Sequence, residues 1–453
     1  MIDTGGLMNQ DSKLSRRTFL GGTAATVAAL ALPMNRRLMT SATPKGYAGD
    51  TLTLGLPITP ETAKKSLSYL AAFEKSTGIK INWFTTNTAT GTWVAVFEEI
   101  ATRLAGGEPL DSAYIATEGM RLFEEKGVLD PLDSYIASDK AAVDEFYTDV
   151  NPTMLANFRQ LDDLGGHTYF IPIGYNVMSI WWNRAMFKQY KVPDPGPGWT
   201  WDEFESAARK IANASEDRFG YAFTSPVPGP FIDVYPWVLT NGGRILNADQ
   251  SKCVADSPEC IEAAAFARSL VANKLVNPPG GAYDPFSATA ANKLGMVGCG
   301  IWGNVDIPLP PAQIIKDFAI VPWPKKTTNG TPVGVGGFPM FSSSSAKPAL
   351  WEFIKYSFSE EFQFGAVVDF GGDMPIRTSA ATSKTFLAQF PPGTENFSTE
   401  LSYSTMIIGV PNADAVESEI STVWAQILAG SISPAAGMKA MQTSCTKLMA
   451  QQV

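Results

Sequence analysis

At 453 residues the chain exceeds one typical domain and is long enough for two, each able to bury a sizeable core. Only 17 % of residues are charged and 45 % are hydrophobic, with 39 glycines and 32 prolines, the composition of a folded protein with long loops. A net charge of −9 without any basic run argues against nucleic acid as a partner, and a single histidine leaves no Cys/His zinc cluster.

The first segment has its own chemistry. Lys13, Arg16 and Arg17 precede an uncharged stretch over residues 19–32, about 14 residues where a membrane-spanning helix needs roughly 20. The paired arginines in Ser-Arg-Arg-x-Phe-Leu resemble the signal of the twin-arginine route, which exports folded proteins. Residues 1–42 are therefore expected to be an export signal and linker, with small-residue cleavage sites at 29–31, 40–42 and 46–48. No cysteine lies near the apolar stretch, so a soluble periplasmic protein without a lipid anchor is expected. Cutting after Ala42 removes five basic and two acidic residues and takes the net charge to about −12.

Beyond the signal, TLTLGLP alternates as a strand does, and Ala63, Leu67, Leu70 and Phe73 recur at helical spacing. IKINWF predicts a strand, residues 92–105 a helix, and DSAYIAT a third strand; this alternation argues for a parallel sheet covered by helices. HTYFIPIGYNVMSIWWN is a long extended segment interrupted by Pro172, suited to leaving one layer and entering another. Thr200 with Glu203 forms a capping-box pattern before a helix, and further helices are expected at 234–240, 261–272 and 349–358. KLGMVGCGIW and FAIVPWP read as strands of the second lobe.

Catalytic patterns are sparse. His167 has no matched nucleophile and reads as a loop residue, while Glu118, Asp233, Asp284, Asp306 and Asp373 lie at strand ends or in loops without spacing that singles out a pair. The glycines of VGVGGF do not follow a dinucleotide-binding order and suit a close backbone turn. Cys253 and Cys260 bracket a polar loop whose ends are expected to meet as a disulfide in an exporting context, with Cys299 a buried thiol. Trp237, Trp302 and Tyr175 sit beside glycine or proline, where flat rings can stack on sugar faces, whereas Trp93 shares helical spacing with Phe97, Ile100 and Leu104 and belongs to a core.

The segments YLAAFEKSTGIKIN, DSAYIAT with KGVLDPLDSYI, YFIPIGYNVMSIWWNRAMFKQY, GWTWDEFESAARKI, KLGMVGCGIW and AKPALWEFIKYSFSEEFQ, in this order, resemble the extracellular solute-binding proteins of carbohydrate ABC transporters, a class that includes the maltose-binding protein. The resemblance implies an α/β, two-lobed periplasmic binding protein fold, each lobe a mostly parallel sheet with flanking helices, joined by a hinge of crossing strands. By it, residues 43–172 with 334–378 form the N-terminal lobe and 173–333 with 379–453 the C-terminal lobe. It also implies Glu118 as an acceptor of sugar hydroxyls, Tyr235, Trp237 and Trp302 as stacking rings, Gly336, Gly337 and Phe338 on the first-lobe side of the ligand, and Asp373, Arg377 and Asn87 as polar contacts, with the ring of Tyr175 a further ligand contact by its place beside glycine and proline.

The function so implied is that of a monomeric, non-enzymatic binding component of an ABC importer. It takes a mono- or oligosaccharide between its lobes, delivers it to membrane permease subunits, and needs no cofactor or metal; its other partner is the twin-arginine export machinery. The alternatives are a polyol, a glycerol phosphodiester held by Arg377, Arg244 or Arg184, a polyamine held by carboxylates beside aromatic rings, or a secreted glycoside hydrolase or lyase.

Overall fold

Alternating leucines build the first strand: Leu52, Leu54 and Leu56 of Thr51–Leu56 (β1) are fully buried. The computed structural model describes residues 46–47, 49–57, 60–86, 93–162, 166–223, 229–280, 283–365 and 372–451. Lys80–Thr85 (β2) and Ser112–Ala113 (β3) pair in parallel on either side of β1, in the order β2-β1-β3. The helix Pro60–Thr77 turns Leu70 and Phe73 inward, but Leu67, grouped with them by spacing, is 37 % exposed. Trp93 packs on Phe97 at 6.0 Å and on Tyr114 at 5.8 Å between ring centres.

DSAYIAT does not form one strand. It divides at Tyr114, so that Ile115–Ala116 (β4) joins a different sheet. After Leu129–Asp130 (β5), the extended segment also divides, into Pro172–Val177 (β6) and Ser179–Asn183 (β7), with Met178 between them. β7 belongs to the sheet of the second lobe, with Phe219–Ala222 (β8), Leu294–Cys299 (β9) and Phe318–Pro322 (β10) in the order β10-β7-β9-β8. This sheet is mixed: β7 runs antiparallel to both neighbours and β8 parallel to β9. The helix Trp201–Ile211 covers it and starts with the expected capping box, Thr200 Oγ1 accepting from Glu203 N at 3.3 Å and Glu203 Oε2 from Thr200 N at 2.7 Å.

The chain returns through Thr331–Gly337 (β11), continues to Met340–Phe341 (β12), which pairs with β5, and adds Met374–Pro375 (β13) and Ser404–Met406 (β14). β6, β11, β13, β14 and β4 make the crossing sheet. Its backbone is tied by a buried glutamine. Gln363 Nε2 donates to Ile173 O (2.7 Å) and Ser357 O (2.9 Å), and its Oε1 accepts from Ile376 N (2.8 Å). Removing this amide would leave buried backbone groups in three segments without partners.

Candidate ligand-binding site

The crossing sheet has two unlike faces because its strands alternate. Gly174 pairs with Gly336 and Asn176 with Gly334, so these four share one face; Tyr175, Val177, Val333 and Val335 point to the other, which is buried. The first face is almost bare of side chains. A Cβ on Gly336 would lie 1.9 Å from the Tyr114 hydroxyl, and one on Gly174 would lie 2.7 Å from Cβ of Asp373. Only glycine lets those two side chains lie flat on the sheet. Gly334 is different, since the nearest atoms to a Cβ there are Ile407 Cδ1 at 3.4 Å, Thr117 Oγ1 at 3.7 Å and the Phe231 ring at 3.9 Å.

Asp373 is held at both oxygens, by the Tyr114 hydroxyl at Oδ2 and by the Asn176 amide at Oδ1. Burial nevertheless pushes its pKa up to about 7, outweighing these two bonds, which favour the ionised form. Glu118 occupies the first turn of the helix Thr117–Glu125, not a loop. Thr117 fixes the helix start to β11, its hydroxyl donating to Val335 O (3.0 Å) and accepting from Val335 N (2.8 Å). Burial raises the Glu118 carboxyl to about 7, aided by the charges of Asp414 and Asp373.

The helix Ala413–Ala429 supplies two more acids. Burial lifts Asp414 to about 6 and, with Glu118 and Asp414 nearby, pushes Glu417 well above the usual carboxylate range. Four carboxyl groups from three segments thus share one neighbourhood, and no lysine or arginine among the described residues forms an ion pair with any of them. The described residues contain no cluster able to hold a metal ion.

Aromatic surface comes from the second lobe. Trp302 stacks on Phe231 with ring centres 6.2 Å apart and 27° between planes, and it packs against both apolar clusters of the protein. Its Cβ lies 3.0 Å from where a Cβ on Gly372 would be, next to Asp373. Phe231 therefore stands beside the open position at Gly334, and Trp302 beside Gly372, which precedes Asp373 in the chain. An apolar double ring flanked by hydrogen-bond acceptors is an arrangement that recognises a flat, hydroxyl-bearing molecule.

Residues 59–364 match the family model of bacterial extracellular solute-binding proteins, and residues 13–33 match the signal of the twin-arginine translocation pathway. The chain belongs to this solute-binding family. It is exported by the twin-arginine route to the periplasm. Three solved structures have the same fold: an ABC substrate-binding protein of Listeria monocytogenes in complex with cycloalternan (TM-score 0.73, 22 % identity, covering 89 % of this chain and 100 % of that one), an ABC transporter solute-binding protein of Thermotoga lettingae bound with α-D-tagatose (0.74, 22 %, 88 % and 100 %), and one of Agrobacterium radiobacter in complex with ribitol (0.69, 20 %, 89 % and 99 %).

Within this solute-binding protein, several residues expected at the ligand have other work. Trp237 is fully buried in the second-lobe core, with ring centres 5.1 to 5.9 Å from Phe204, Trp323, Tyr221 and Trp201, so it offers no free face for stacking. Phe338 is enclosed by Tyr114 and Phe353. Tyr175 is on the buried face of β6 and its hydroxyl meets Ser398 Oγ at 3.0 Å. Arg377, 2 % exposed, is spent on Glu145 (2.8 and 2.9 Å) and on Phe358 O (2.9 Å). Gly337 is needed for backbone packing, since a Cβ would lie 2.5 Å from Ile171 O.

Tyr235 is also largely buried in the second-lobe core; its hydroxyl lies near Glu417 and Glu118 and has no hydrogen-bond partner among the described residues. Asn87 lies outside the described residues. Cys253 and Cys260 are free thiols, and the thiol of Cys260 instead donates to Arg244 O at 3.2 Å. His167 is a loop residue, 3.3 Å from Asp133 Oδ2. Sequence reasoning missed Tyr114, Asn176, Phe231, Asp414 and Glu417. The period-two alternation of glycine with valine in VGVG was a readable signal for the bare face, but the acids of the helix Ala413–Ala429 carry no local mark. A cavity of about 340 Å³, lined by Arg121, Gln160, Tyr235, Arg244, Gln250 and Ile407 among others, includes neither Trp302 nor Glu118 nor Asp373.

Proposed function

We propose that this protein is the binding component of an ABC importer and takes a sugar or polyol between its lobes for delivery to a membrane permease. The lobes in this reading comprise residues 43–172 with 334–378 and 173–333 with 379–453, and the protein acts as a monomer. Glu118 and Asp373 accept ligand hydroxyls, Asn176 adds a polar contact, and Trp302 with Phe231 covers a ring face. The observation that carries this reading is the meeting of the Trp302–Phe231 stack with the glycine face of the crossing sheet beside Asp373. The ligands of the tagatose, ribitol and cycloalternan proteins, all rich in hydroxyls, support it.

Lobe closure excludes water, and hydrogen bonds to the two carboxyls gain strength as the local dielectric falls. The bonds of the ligand stay intact. A second reading, a polyamine or another cationic ligand, is favoured by the four carboxyl groups, which have no cationic partner among the described residues. A glycerol phosphodiester suits this acid-rich neighbourhood poorly, and Arg377, a candidate for its phosphate, is already paired.

A thermal-shift screen of the mature protein against sugars, polyols, glycerol phosphodiesters and polyamines separates these readings. A ligand at 100 times its dissociation constant adds about 2.7 kcal/mol of apparent stability. A shift with a neutral sugar or polyol that is recovered intact supports the proposal. A shift with polyamines alone favours the second reading, and a cleaved sugar contradicts both.

A further inference from the structure

The cysteine loop closes on a different partner from its neighbour in sequence. Leu246 and Cys253 form an antiparallel bridge, and Val254 N donates to Ile245 O at 2.8 Å, so Cys253 ends a short hairpin. The following turn rests on the final helix, Pro434–Met449, where Asp256 N donates to Gln442 Oε1 at 3.2 Å. One turn further along that helix is Cys445. Its thiol and that of Cys253 are within hydrogen-bonding reach of each other, both buried in the core of the second lobe. Cys260 is turned away, bonded to Arg244 O, and Cys299 lies fully buried in β9 in the other apolar cluster.

We infer that Cys253 and Cys445 become a disulfide after export, fastening the C-terminal helix to the hairpin of the second lobe. The export route supports this choice of partners. A chain threaded unfolded into an oxidising compartment presents neighbouring cysteines first, whereas the twin-arginine signal belongs to a route that carries folded proteins, in which the fold has already selected the pair. The two residues are roughly 190 positions apart, so the link closes a long loop and restricts the unfolded chain strongly.

The chemistry is thiol–disulfide exchange with a protein or small-molecule disulfide of that compartment. Cys253, the less enclosed of the two at 7 % exposure, attacks one sulfur of the oxidant as thiolate and releases the first oxidant thiol. The hydrogen bond from Cys445 favours that thiolate, lowering the Cys253 pKa. Cys445 then gives up its proton and attacks the Cys253 sulfur of the mixed disulfide, releasing the second oxidant thiol. Two protein thiols are oxidised and one oxidant disulfide is reduced.

The test uses the full chain exported to a periplasm, trapped with N-ethylmaleimide under denaturing, non-reducing conditions and analysed by intact mass and peptide mapping. The expected result is two alkylated cysteines, Cys260 and Cys299, and a linked peptide pair containing Cys253 and Cys445. Cys260→Ser keeps that link, whereas Cys445→Ser abolishes it and leaves the other three cysteines alkylated. Four alkylated cysteines in the exported chain, or a link from Cys253 to Cys260, would overturn the inference. Because the mass readout does not depend on activity or on any ligand, its failure leaves the functional proposal to its own test.

Discussion

Trp237 and Trp302 look alike in sequence, each beside turn-forming residues in the second lobe, yet the structure gives them opposite surroundings. Trp237 is walled in by other aromatic rings on the sheet β10-β7-β9-β8, and Trp302 is only partly buried, packed against both apolar clusters and stacked on Phe231. What separates them is the element that carries each ring. Trp237 is on a short helix, all six residues of which are buried, while Trp302 follows β9 at a turn and meets Gly372, two residues before β13. A large ring next to glycine or proline is therefore a weak sign of a ligand contact until its element is placed.

The contrast breaks most visibly under truncation. Trp237→Ala removes a fully buried indole and is expected to cost about 3–5 kcal/mol of stability, read by denaturant unfolding. A loss under about 1 kcal/mol would place that ring outside the core. Arg377 and Asp373 repeat the comparison four residues apart. Arg377→Ala empties a buried site and strands Glu145 and the Phe358 carbonyl; because Glu145 is half exposed, a loss of about 2–3 kcal/mol is expected, with ligand affinity unchanged.

Asp373→Asn or Glu118→Gln should do the reverse, keeping the fold and weakening ligand binding by roughly 10–100-fold in calorimetric titration, the loss of a charge-assisted hydrogen bond. An unchanged affinity in both variants would remove the carboxyls from the site.

A smaller effect concerns pH. The carboxyls of Glu118 and Asp373, raised to about 7, bind protons in the folded protein that the unfolded chain releases near pH 4. Their contribution to stability is complete below about pH 4 and is lost as pH rises through about 7. The melting temperature of the ligand-free protein should thus fall by a few degrees between pH 5.5 and 8, and less so in Asp373→Asn. Binding of a hydroxyl donor runs the other way, tightening over the same range as the acceptors ionise.

Local patterns made much of the fold legible. The leucine alternation of β1, the Thr200 capping box and the helix at Lys347–Ser357 are short-range features whose partners lie within a few residues. The division of DSAYIAT at Tyr114 was not legible, because it depends on Gly336 more than 200 positions away leaving space for a tyrosine ring. The site shows the same limit. Trp302, Glu118 and Asp373 could be singled out from motif resemblance, but Phe231, Asp414 and Glu417 reach them only through tertiary folding. For the cysteines, nearness in sequence could not show that the hairpin ending at Cys253 rests on the last helix, while the thiol of Cys260 turns to Arg244 O.

Titration calorimetry of Trp302→Ala beside Trp237→Phe, with the sugar or polyol returned by the thermal screen, tests the central claim most directly. The account predicts that Trp302→Ala loses at least about tenfold in affinity with little change in melting temperature, whereas Trp237→Phe binds as the parent protein does and melts lower. Equal affinity of Trp302→Ala and the parent would contradict it, because the ligand would then lie away from the Trp302–Phe231 stack.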